Sequence, residues 1–239
     1  MKLLDLTCDD PAMDLAVDEA LLDEAEAGRL SDDVLRLWEP RRTVVVIGRS
    51  SKVAEEVNAA ACQQRGVPVL RRCSGGAAVV GGPGCLMYSV VLGYDRRGDL
   101  RVIDHAHEFV LGRVAQAIRR LGPPATRLGV SDLTVGDRKV SGNSLRCRRD
   151  HVLYHGTLLY NFPLADVAEL LGTPPRQPEY RDGRSHTDFV ANLNVPVDDL
   201  RAALIEAWSA NEPLTNWPRA AAERLHAERY SRDEWNRRL

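Results

Sequence analysis

The first strong pattern in the chain is that of an amphipathic helix. Asp10 followed by Pro11 has the form of an N-cap with proline at the first helical position. Apolar residues then recur at intervals of three and four up to Ala25, and Gly28 is expected to end the helix. A similar apolar spacing predicts a second long helix over 105–121, which the sequence Gly-Pro-Pro ends.

Short apolar and β-branched runs between these helices predict strands. They lie at 34–38, 43–47, 68–72, 86–92, 133–135, 139–141 and 153–160. Shorter helical patterns lie at 55–65, 166–171, 197–210 and 219–230, and the segment 172–183, rich in proline and arginine, is predicted to be a loop long enough to suspect a function. The first two strands are separated only by Glu-Pro-Arg-Arg, which suits a turn between them. Because strands are scattered among helices without a repeat or linker, we expect one α+β domain over 1–239, with a mixed, largely antiparallel sheet flanked by helices.

Composition places the chain among globular proteins and shows an uneven charge. Its 239 residues include 32 basic and 34 acidic ones, a net charge of -2, and 44% are hydrophobic. The first forty residues carry twelve acids against three bases, a net of -9, which leaves +7 for the rest. This basic remainder suits phosphate-bearing ligands or an acidic protein partner. Nucleic acid is not expected, because basic runs interleaved with aromatic residues are missing.

Cysteine usage and the N-terminal sequence indicate the compartment. The five cysteines are widely spaced and form no CxxC pair, so neither a disulfide framework nor a zinc site is indicated. The opening Met-Lys-Leu-Leu-Asp is not a signal peptide, and no window approaches the roughly 18 apolar residues of a membrane span. We therefore expect a cytoplasmic protein with reduced thiols and no membrane association.

A glycine-rich segment is the first candidate site. Five glycines lie between Gly75 and Gly84, directly after Arg71 and Arg72. Glycines let main-chain N–H groups approach an anion closely, and a guanidinium pair can grip phosphate or carboxylate. The segment is not a P-loop, because no Gly-Lys-Ser/Thr follows. It is either an anion cradle or a glycine-rich hairpin with solvated arginines.

Three further residues can carry chemistry. Lys139 is one of only three lysines and lies in a predicted strand directly before Ser-Gly-Asn, where it can place a compact positive charge on a phosphate or acyl carboxylate. Asp132 either holds Mg²⁺ through one oxygen or caps a turn. His155 interrupts an apolar strand, either as a core residue or as a ligand-binding one.

Taken together, these segments resemble in order and spacing the lipoate-protein ligase A family of the biotin/lipoate ligase superfamily. The motifs are Arg72-Cys73-Ser74-Gly75-Gly76, Ser131-Asp132-Leu133, Lys139-Val140-Ser141-Gly142-Asn143 and His155-Gly156-Thr157-Leu158-Leu159. The resemblance implies the catalytic-domain fold of that superfamily. It also implies a two-step reaction in which lipoate or octanoate reacts with ATP to give an acyl-adenylate, and a lysine of a lipoyl-acceptor domain then takes the acyl group.

The resemblance implies a role for each matching residue. Lys139 would be the catalytic residue, contacting both the α-phosphate and the acyl carbonyl. The nucleotide would be bound by Arg49, Arg72, Ala77, Ala78, Val79, Val80, Asp132 and Lys139. The lipoyl group would be bound by Ser74, Gly75, Gly76, Lys139, Gly142 and His155. Asp132 would also support Mg²⁺, which enters with ATP as a co-substrate, and no structural metal is expected.

The chain departs from the family pattern at several positions. Ala77 replaces a third glycine, Gly81-Gly82 replaces a His-Asp pair, and Cys85 and Ser131 each replace an asparagine. These changes bear on loop geometry, metal contacts and acyl-chain preference. We also expect no C-terminal accessory domain in this chain, so a separate accessory chain is one expected partner. The other is a lipoyl-acceptor domain of the 2-oxoacid dehydrogenase E2 or glycine cleavage H protein type.

Two other functions remain open on the sequence. One is an acyltransferase that moves octanoyl or lipoyl from acyl carrier protein through a cysteine thioester, for which Cys73, Cys85 and Cys147 are the candidates. The other is a lipoyl-protein binding module that kept the fold and lost the chemistry.

Overall fold

A computed structural model of the protein describes residues 1–172 and 177–239, and two sheets organise it. The strands are β1 (Lys2–Asp5), β2 (Val34–Trp38), β3 (Val44–Ile47), β4 (Val69–Arg71), β5 (Val79–Gly81), β6 (Cys85–Gly93), β7 (Ala125–Leu128), β8 (Asp132–Val135), β9 (Arg138–Cys147), β10 (His151–Leu159) and β11 (Glu212–Pro213). The helices are α1 (Pro11–Glu26), α2 (Val53–Glu56), α3 (Ala59–Gln64), α4 (Ile103–Arg120), α5 (Ala165–Leu170), α6 (His186–Phe189), α7 (Val197–Trp208), α8 (Arg219–Leu225) and α9 (Asp233–Asn236).

The larger sheet has eight strands in the order β11-β1-β2-β6-β10-β9-β8-β7. Strand β1 runs parallel to both β11 and β2, and every other neighbouring pair is antiparallel. The smaller sheet has the order β4-β3-β5, with β3 parallel to β4 and antiparallel to β5. This arrangement confirms the expected α+β fold with a mixed, largely antiparallel central sheet.

Alternation along β2 shows how the layers are placed. Leu35 and Leu37 join the core formed with α4 and α7, whereas Val34, Arg36 and Trp38 point to the opposite face. On that face Val34 packs with α1 and α8, and Trp38 packs with the smaller sheet and the start of α1. Strand β2 therefore separates two cores, and the one polar residue within β2, Arg36, faces α1.

Several predicted elements keep their place but change their partners. Strands β2 and β3 follow one another with only residues 39–43 between them, as predicted, but they lie in different sheets and do not pair. Every residue of β3 is buried on both faces, so β3 needs its own flanking strands. The predicted helix over 55–65 is split in two, because Asn58 caps a new helix by accepting from Ala61 N–H.

Other elements were not predicted at all. The short strands β1, β5 and β7 carry no strong alternation, and β5 lies inside the glycine-rich segment. The predicted loop over 172–183 contains a short 3-10 turn, Glu179–Arg181, and its residues 173–176 lie outside the described residues. Over the two described ranges, no helix combines the length and the apolar character needed to cross a membrane.

Candidate active site

The glycine-rich segment and the α1 face of the larger sheet enclose a cavity of about 320 Å³. A second cavity of about 120 Å³ shares part of its wall. Lys139, Gly142 and residues 77–79 line both cavities. The first is also lined by Arg72, Gly76, Asp132 and His155, and the second by Val80. Most residues singled out in the sequence therefore line one or both of these adjacent cavities, whereas Arg49, Ser74 and Gly75 line neither.

Lys139 lies at the boundary of the two cavities and is held by a carboxylate. Its Nζ is 2.7 Å from Asp132 Oδ1, and the hydroxyl of Tyr180 donates to Asp132 Oδ2 at 2.7 Å. We call these three side chains the open network, because 25% of the lysine side chain is exposed to solvent. A bulge in the β8–β9 pair shifts the register beside Lys139. Gly142 leaves room for the lysine, since a Cβ there would lie 3.0 Å from Nζ.

Arg72 organises the glycine-rich segment from inside. It is 7% exposed, and its guanidinium donates to the main-chain carbonyls of Val46, Gly75 and Ala77 and to the Ser74 hydroxyl. Burial lowers the pKa of Arg72 to about 10. In this structure its donors bind the loop itself, and its contact with nucleotide phosphates stays a prediction.

Arg71 faces away from Arg72, because successive strand residues point to opposite sides. Its guanidinium donates to the carbonyls of Gly48, Arg49, Ser51, Trp235 and Asn236. The Arg71 main chain is bonded to the same C-terminal residues, through Asn236 Oδ1 and Trp235 Nε1. The two arginines therefore do not form one anion-gripping pair: Arg71 braces the strand that leads into the loop.

The main-chain donors of the loop differ in what they bind. Ala78 N–H donates to Glu56 Oε2 at 2.6 Å, and residues 79–81 form β5 against β3. Within the described part of the chain, no hydrogen bond uses the N–H of Gly76 or Ala77. Arg49 presents an exposed side chain beside the loop, and its N–H donates to the Ser74 carbonyl at 2.7 Å. Among the described residues, the main-chain N–H of Gly75 is likewise unused, so the open donors of the cradle include those of Gly75, Gly76 and Ala77.

A second chain of polar side chains reaches the first cavity from the core. Ser74 Oγ is 2.6 Å from His155 Nε2, and His155 Nδ1 is 3.2 Å from Asp18 Oδ2. Arg36 donates to Asp18 Oδ1 at 2.7 Å and also pairs with Asp14. All five side chains are buried, and we call them the buried network. It joins α1, β2 and β10 to the glycine-rich segment.

The two carboxylates of the buried network have opposite electrostatic environments. Burial raises the pKa of Asp14 to about 6, and its Oδ2 has no hydrogen-bond partner within the described residues. Burial also opposes the charge of Asp18, but Arg36 and His155 outweigh it and hold the pKa of Asp18 below its usual range. Asp18 is therefore the fixed anion that orients His155.

The sequence reading did not find Asp14, Arg36 or Tyr180 as site residues. A signal for the first two was present: Arg36 interrupts an otherwise apolar strand, and Asp14 and Asp18 are four residues apart within an apolar helix. Tyr180 had no comparable signal beyond its position in a loop long enough to suspect a function.

The cysteines lie apart from the two cavities, which no described cysteine lines. Burial raises the pKa of both Cys73 and Cys85 to about 12, so neither is a ready thiolate at neutral pH. Cys147 is exposed at the far end of β9, roughly 25 Å from Lys139 along an extended strand of this length.

Asp132 does not fit a resident metal site in this arrangement. Lys139 occupies one of its carboxylate oxygens and Tyr180 the other. The described residues also contain no group of three or more His, Cys, Asp or Glu side chains placed to hold a metal ion. A cation would therefore have to find its remaining ligands on a bound substrate.

Comparisons with known proteins agree on one family. Residues 10–209 match the family model described as lipoyl protein ligase A/B catalytic domain. A lipoate protein ligase from Thermoplasma acidophilum with bound lipoic acid superposes with a TM-score of 0.83 at 26% identity, covering 100% of this chain and 98% of that one.

Two further solved structures are similar to the same extent. A bi-partite lipoate protein ligase from T. acidophilum, described with its E2 lipoyl domain, gives a TM-score of 0.85 at 27% identity over 99% of this chain and 95% of that one. A lipoate-protein ligase A bound with ATP gives 0.83 at 27% identity, over 99% and 98%.

Proposed function

The chain belongs to the lipoyl protein ligase A/B catalytic domain family, and from this premise we propose that it is a lipoate-protein ligase. It activates lipoate with ATP and transfers the lipoyl group to a lysine of an acceptor domain. The observation that carries this proposal is the position of Lys139, which lines both cavities at once. An acyl carboxylate in one cavity and a nucleotide in the other would meet at its ammonium group.

In the first step a carboxylate oxygen of lipoate attacks the α-phosphorus of ATP, and pyrophosphate leaves. Negative charge builds up on crowded phosphate oxygens, and a fixed ammonium stabilises it. Lys139 has three donors and gives one to Asp132, so two remain for the acyl carboxylate and the α-phosphate. Ser74, Gly75, Gly76, Gly142 and His155 would hold the acyl chain.

In the second step the acceptor lysine, as a neutral amine, attacks the carbonyl carbon of the lipoyl-adenylate. The amide bond forms, the bond between carbonyl carbon and phosphate oxygen breaks, AMP leaves, and the amine loses a proton to solvent. The mixed anhydride is sensitive to water, and the buried floor of the first cavity shields it until the acceptor arrives.

Mg²⁺ enters this proposal as part of the nucleotide substrate. Since both oxygens of Asp132 are engaged by Lys139 and Tyr180, we assign Asp132 to the lysine rather than to a resident cation. The phosphate-side contacts of Arg49, Arg72 and residues 77–80 remain part of the proposal.

The proposed partner is a lipoyl-acceptor domain, and we propose that electrostatic attraction steers its association with the site. Residues 41–239 carry a net charge of +7, which would steer an acidic acceptor surface toward the cavity. Raising the salt concentration should then slow transfer steeply. An acceptor of the E2 or H protein type, and the need for a separate accessory chain, are proposed on the family resemblance.

The two alternative functions make different demands on the chain. A thioester transferase needs a reactive thiol near the acyl group, and no described cysteine lines either cavity. A binding module needs no ammonium at the boundary of the two cavities, whereas an ion pair with Asp132 holds that of Lys139 there. Both observations favour the ligase.

One experiment separates the three functions. The protein is incubated with an apo lipoyl domain, lipoate and Mg²⁺, with and without ATP, and the acceptor mass is followed. Modification that requires ATP is the expected result. Octanoyl transfer from acyl carrier protein without ATP would establish the transferase, and no modification with either donor, with or without a candidate accessory chain, would favour the binding module.

A further inference from the structure

Tyr180 connects the wall of the second cavity to the reacting lysine. It lies in the turn Glu179–Arg181, between Pro178 and Arg181, which both line that cavity. Its hydroxyl donates to Asp132, whose other oxygen pairs with Lys139. We infer that Tyr180 is a positioning residue for adenylation: by anchoring Asp132 it sets where Lys139 places its ammonium. This inference rests on the proposed function and adds to it.

Tyr180 is itself held firmly enough to act in this way. Its ring lies 5.2 Å from that of Phe189, and it packs against Gly129, where a Cβ would lie 3.3 Å from Tyr180 Cε1. Burial and the neighbouring Asp132 raise the pKa of the Tyr180 hydroxyl well above its usual range. The hydroxyl therefore remains a hydrogen-bond donor at neutral pH.

The segment that carries Tyr180 is tied to the β8–β9 hairpin by bonds other than this hydroxyl. Ala191 N–H donates to the Lys139 carbonyl at 2.8 Å, and Arg138 donates to the Val190 carbonyl at 2.7 Å. Arg184 pairs with Asp137 at 2.8 Å. Removing the Tyr180 hydroxyl should therefore leave the segment in place and change only the anchoring of Asp132.

The effect of the Tyr180 hydroxyl on Lys139 depends on whether one or both carboxylate oxygens of Asp132 are bound. With one oxygen bound to Lys139 and the other free, Asp132 can rotate and carry the ammonium with it. With both oxygens bound, the carboxylate cannot rotate, and the ammonium group of Lys139 is held in one position. A misplacement of about 1 Å in a reacting constellation costs up to about 100-fold in rate. Loss of one anchoring hydrogen bond should cost less, about tenfold in kcat.

The test compares Tyr180→Phe with Tyr160→Phe in lipoate-dependent exchange of pyrophosphate into ATP. Tyr160 is a matched control, because its hydroxyl also donates to a carboxylate, Glu39, at 2.9 Å, yet it lines neither cavity. For Tyr180→Phe we expect kcat to fall about tenfold while KM for lipoate and ATP stays within about twofold. Tyr160→Phe should match the wild type.

A double-mutant cycle asks whether Tyr180 acts through Asp132. In an Asp132→Asn background, Tyr180→Phe should cause no further loss of kcat, because the anchored carboxylate is already gone. Independent, multiplying losses would overturn the inference. So would an unchanged kcat in Tyr180→Phe, a loss confined to KM, or a fall in melting temperature large enough to account for the lost activity.

The same assay distinguishes this inference from the function on which it rests. If the wild-type protein shows no lipoate-dependent exchange, alone or with a candidate accessory chain, the proposed function fails and the inference falls with it. If the wild type exchanges and Tyr180→Phe does so equally well, the function stands and the inference alone is wrong.

Discussion

The two polar networks that meet at the first cavity use the same chemistry for different ends. Each contains a cation paired with at least one carboxylate, and each includes a residue that the proposed acyl or nucleotide group would touch. Arg36 and Asp14 have no exposed surface, whereas Lys139 keeps a quarter of its side chain exposed. A buried cation must place its donors within the protein, while an accessible one keeps donors for substrates.

This difference divides the site into a fixed wall, formed by the buried network, and a reactive wall, formed by the open network. The buried network holds His155 and Ser74, and through Ser74 the glycine-rich segment, before any substrate arrives. Among the described residues, the open network holds Lys139 by a single ion pair, with Asp132. Disrupting the buried network should therefore lower the free energy of unfolding, whereas disrupting the open network should lower the reaction rate. The four predictions below test this division.

The largest effect is expected at the reactive wall. Lys139→Ala removes the ammonium that faces both cavities, and adenylate formation should fall by at least about 10²–10³-fold, as when a preorganised donor is removed from a reacting centre. Pyrophosphate exchange measures it. Lys52→Ala is the control, because Lys52 is an exposed lysine paired with Glu55 outside the cavities. Equal activity of the two variants would contradict the role of Lys139.

A loss of stability is expected when the fixed wall is broken. Arg36→Met leaves Asp14 and Asp18 buried without their cation, and the free energy of unfolding should fall by about 3–5 kcal/mol. Urea unfolding followed by circular dichroism measures it. Asp132→Asn keeps the size of the side chain and leaves a lysine that is 25% exposed to solvent, so it should cost less, about 1–2 kcal/mol. Comparable losses in the two variants would remove the distinction between the walls.

The fixed wall also predicts a pH dependence of stability. The pKa of Asp14 is raised from 3.8 to about 6, so the folded protein binds this proton more tightly than the unfolded chain. The stability from this group is greatest below pH 4 and is lost as the pH rises through 6. Between pH 4 and pH 7 the wild type should lose about 2–3 kcal/mol relative to Asp14→Asn. Parallel stability curves for the two proteins would show that Asp14 does not titrate in this range.

The smallest effect is expected outside both networks. Cys147→Ser changes an exposed thiol at the end of β9 and should alter adenylation and transfer by less than about twofold, as an exposed change away from the reacting groups. Acceptor mass and pyrophosphate exchange measure the two steps separately. Complete loss of transfer in this variant would point instead to an acyl-thioester intermediate.

The sequence located the reactive wall better than the fixed one. Lys139, Asp132 and the glycine-rich segment lie on short motifs, so their order and spacing could be read along the chain. The buried network joins residues from α1, β2 and β10, and only the fold brings them together. Arg36 interrupts an apolar strand, but the carboxylates that meet it on the α1 face cannot be read from that strand alone.

The arginine pair shows a different limit of sequence reading. Arg71 and Arg72 are adjacent and of the same type, and adjacency suggested a shared anion. The structure directs them to opposite sides, and both guanidinium groups donate to main-chain carbonyls. Which carbonyls surround a side chain depends on β3 and on residues 235 and 236, which are remote in sequence.

The bonds from Arg71 to Trp235 and Asn236 also set an order of events during protein synthesis. The two segments are 164 and 165 residues apart, so at about 5–20 residues per second the ribosome needs on the order of ten seconds or more to supply the second after the first. A nascent chain therefore has its glycine-rich segment long before it has the brace. Translation products that end between Lys139 and Trp235 would carry the reactive lysine but lack the residues that brace Arg71.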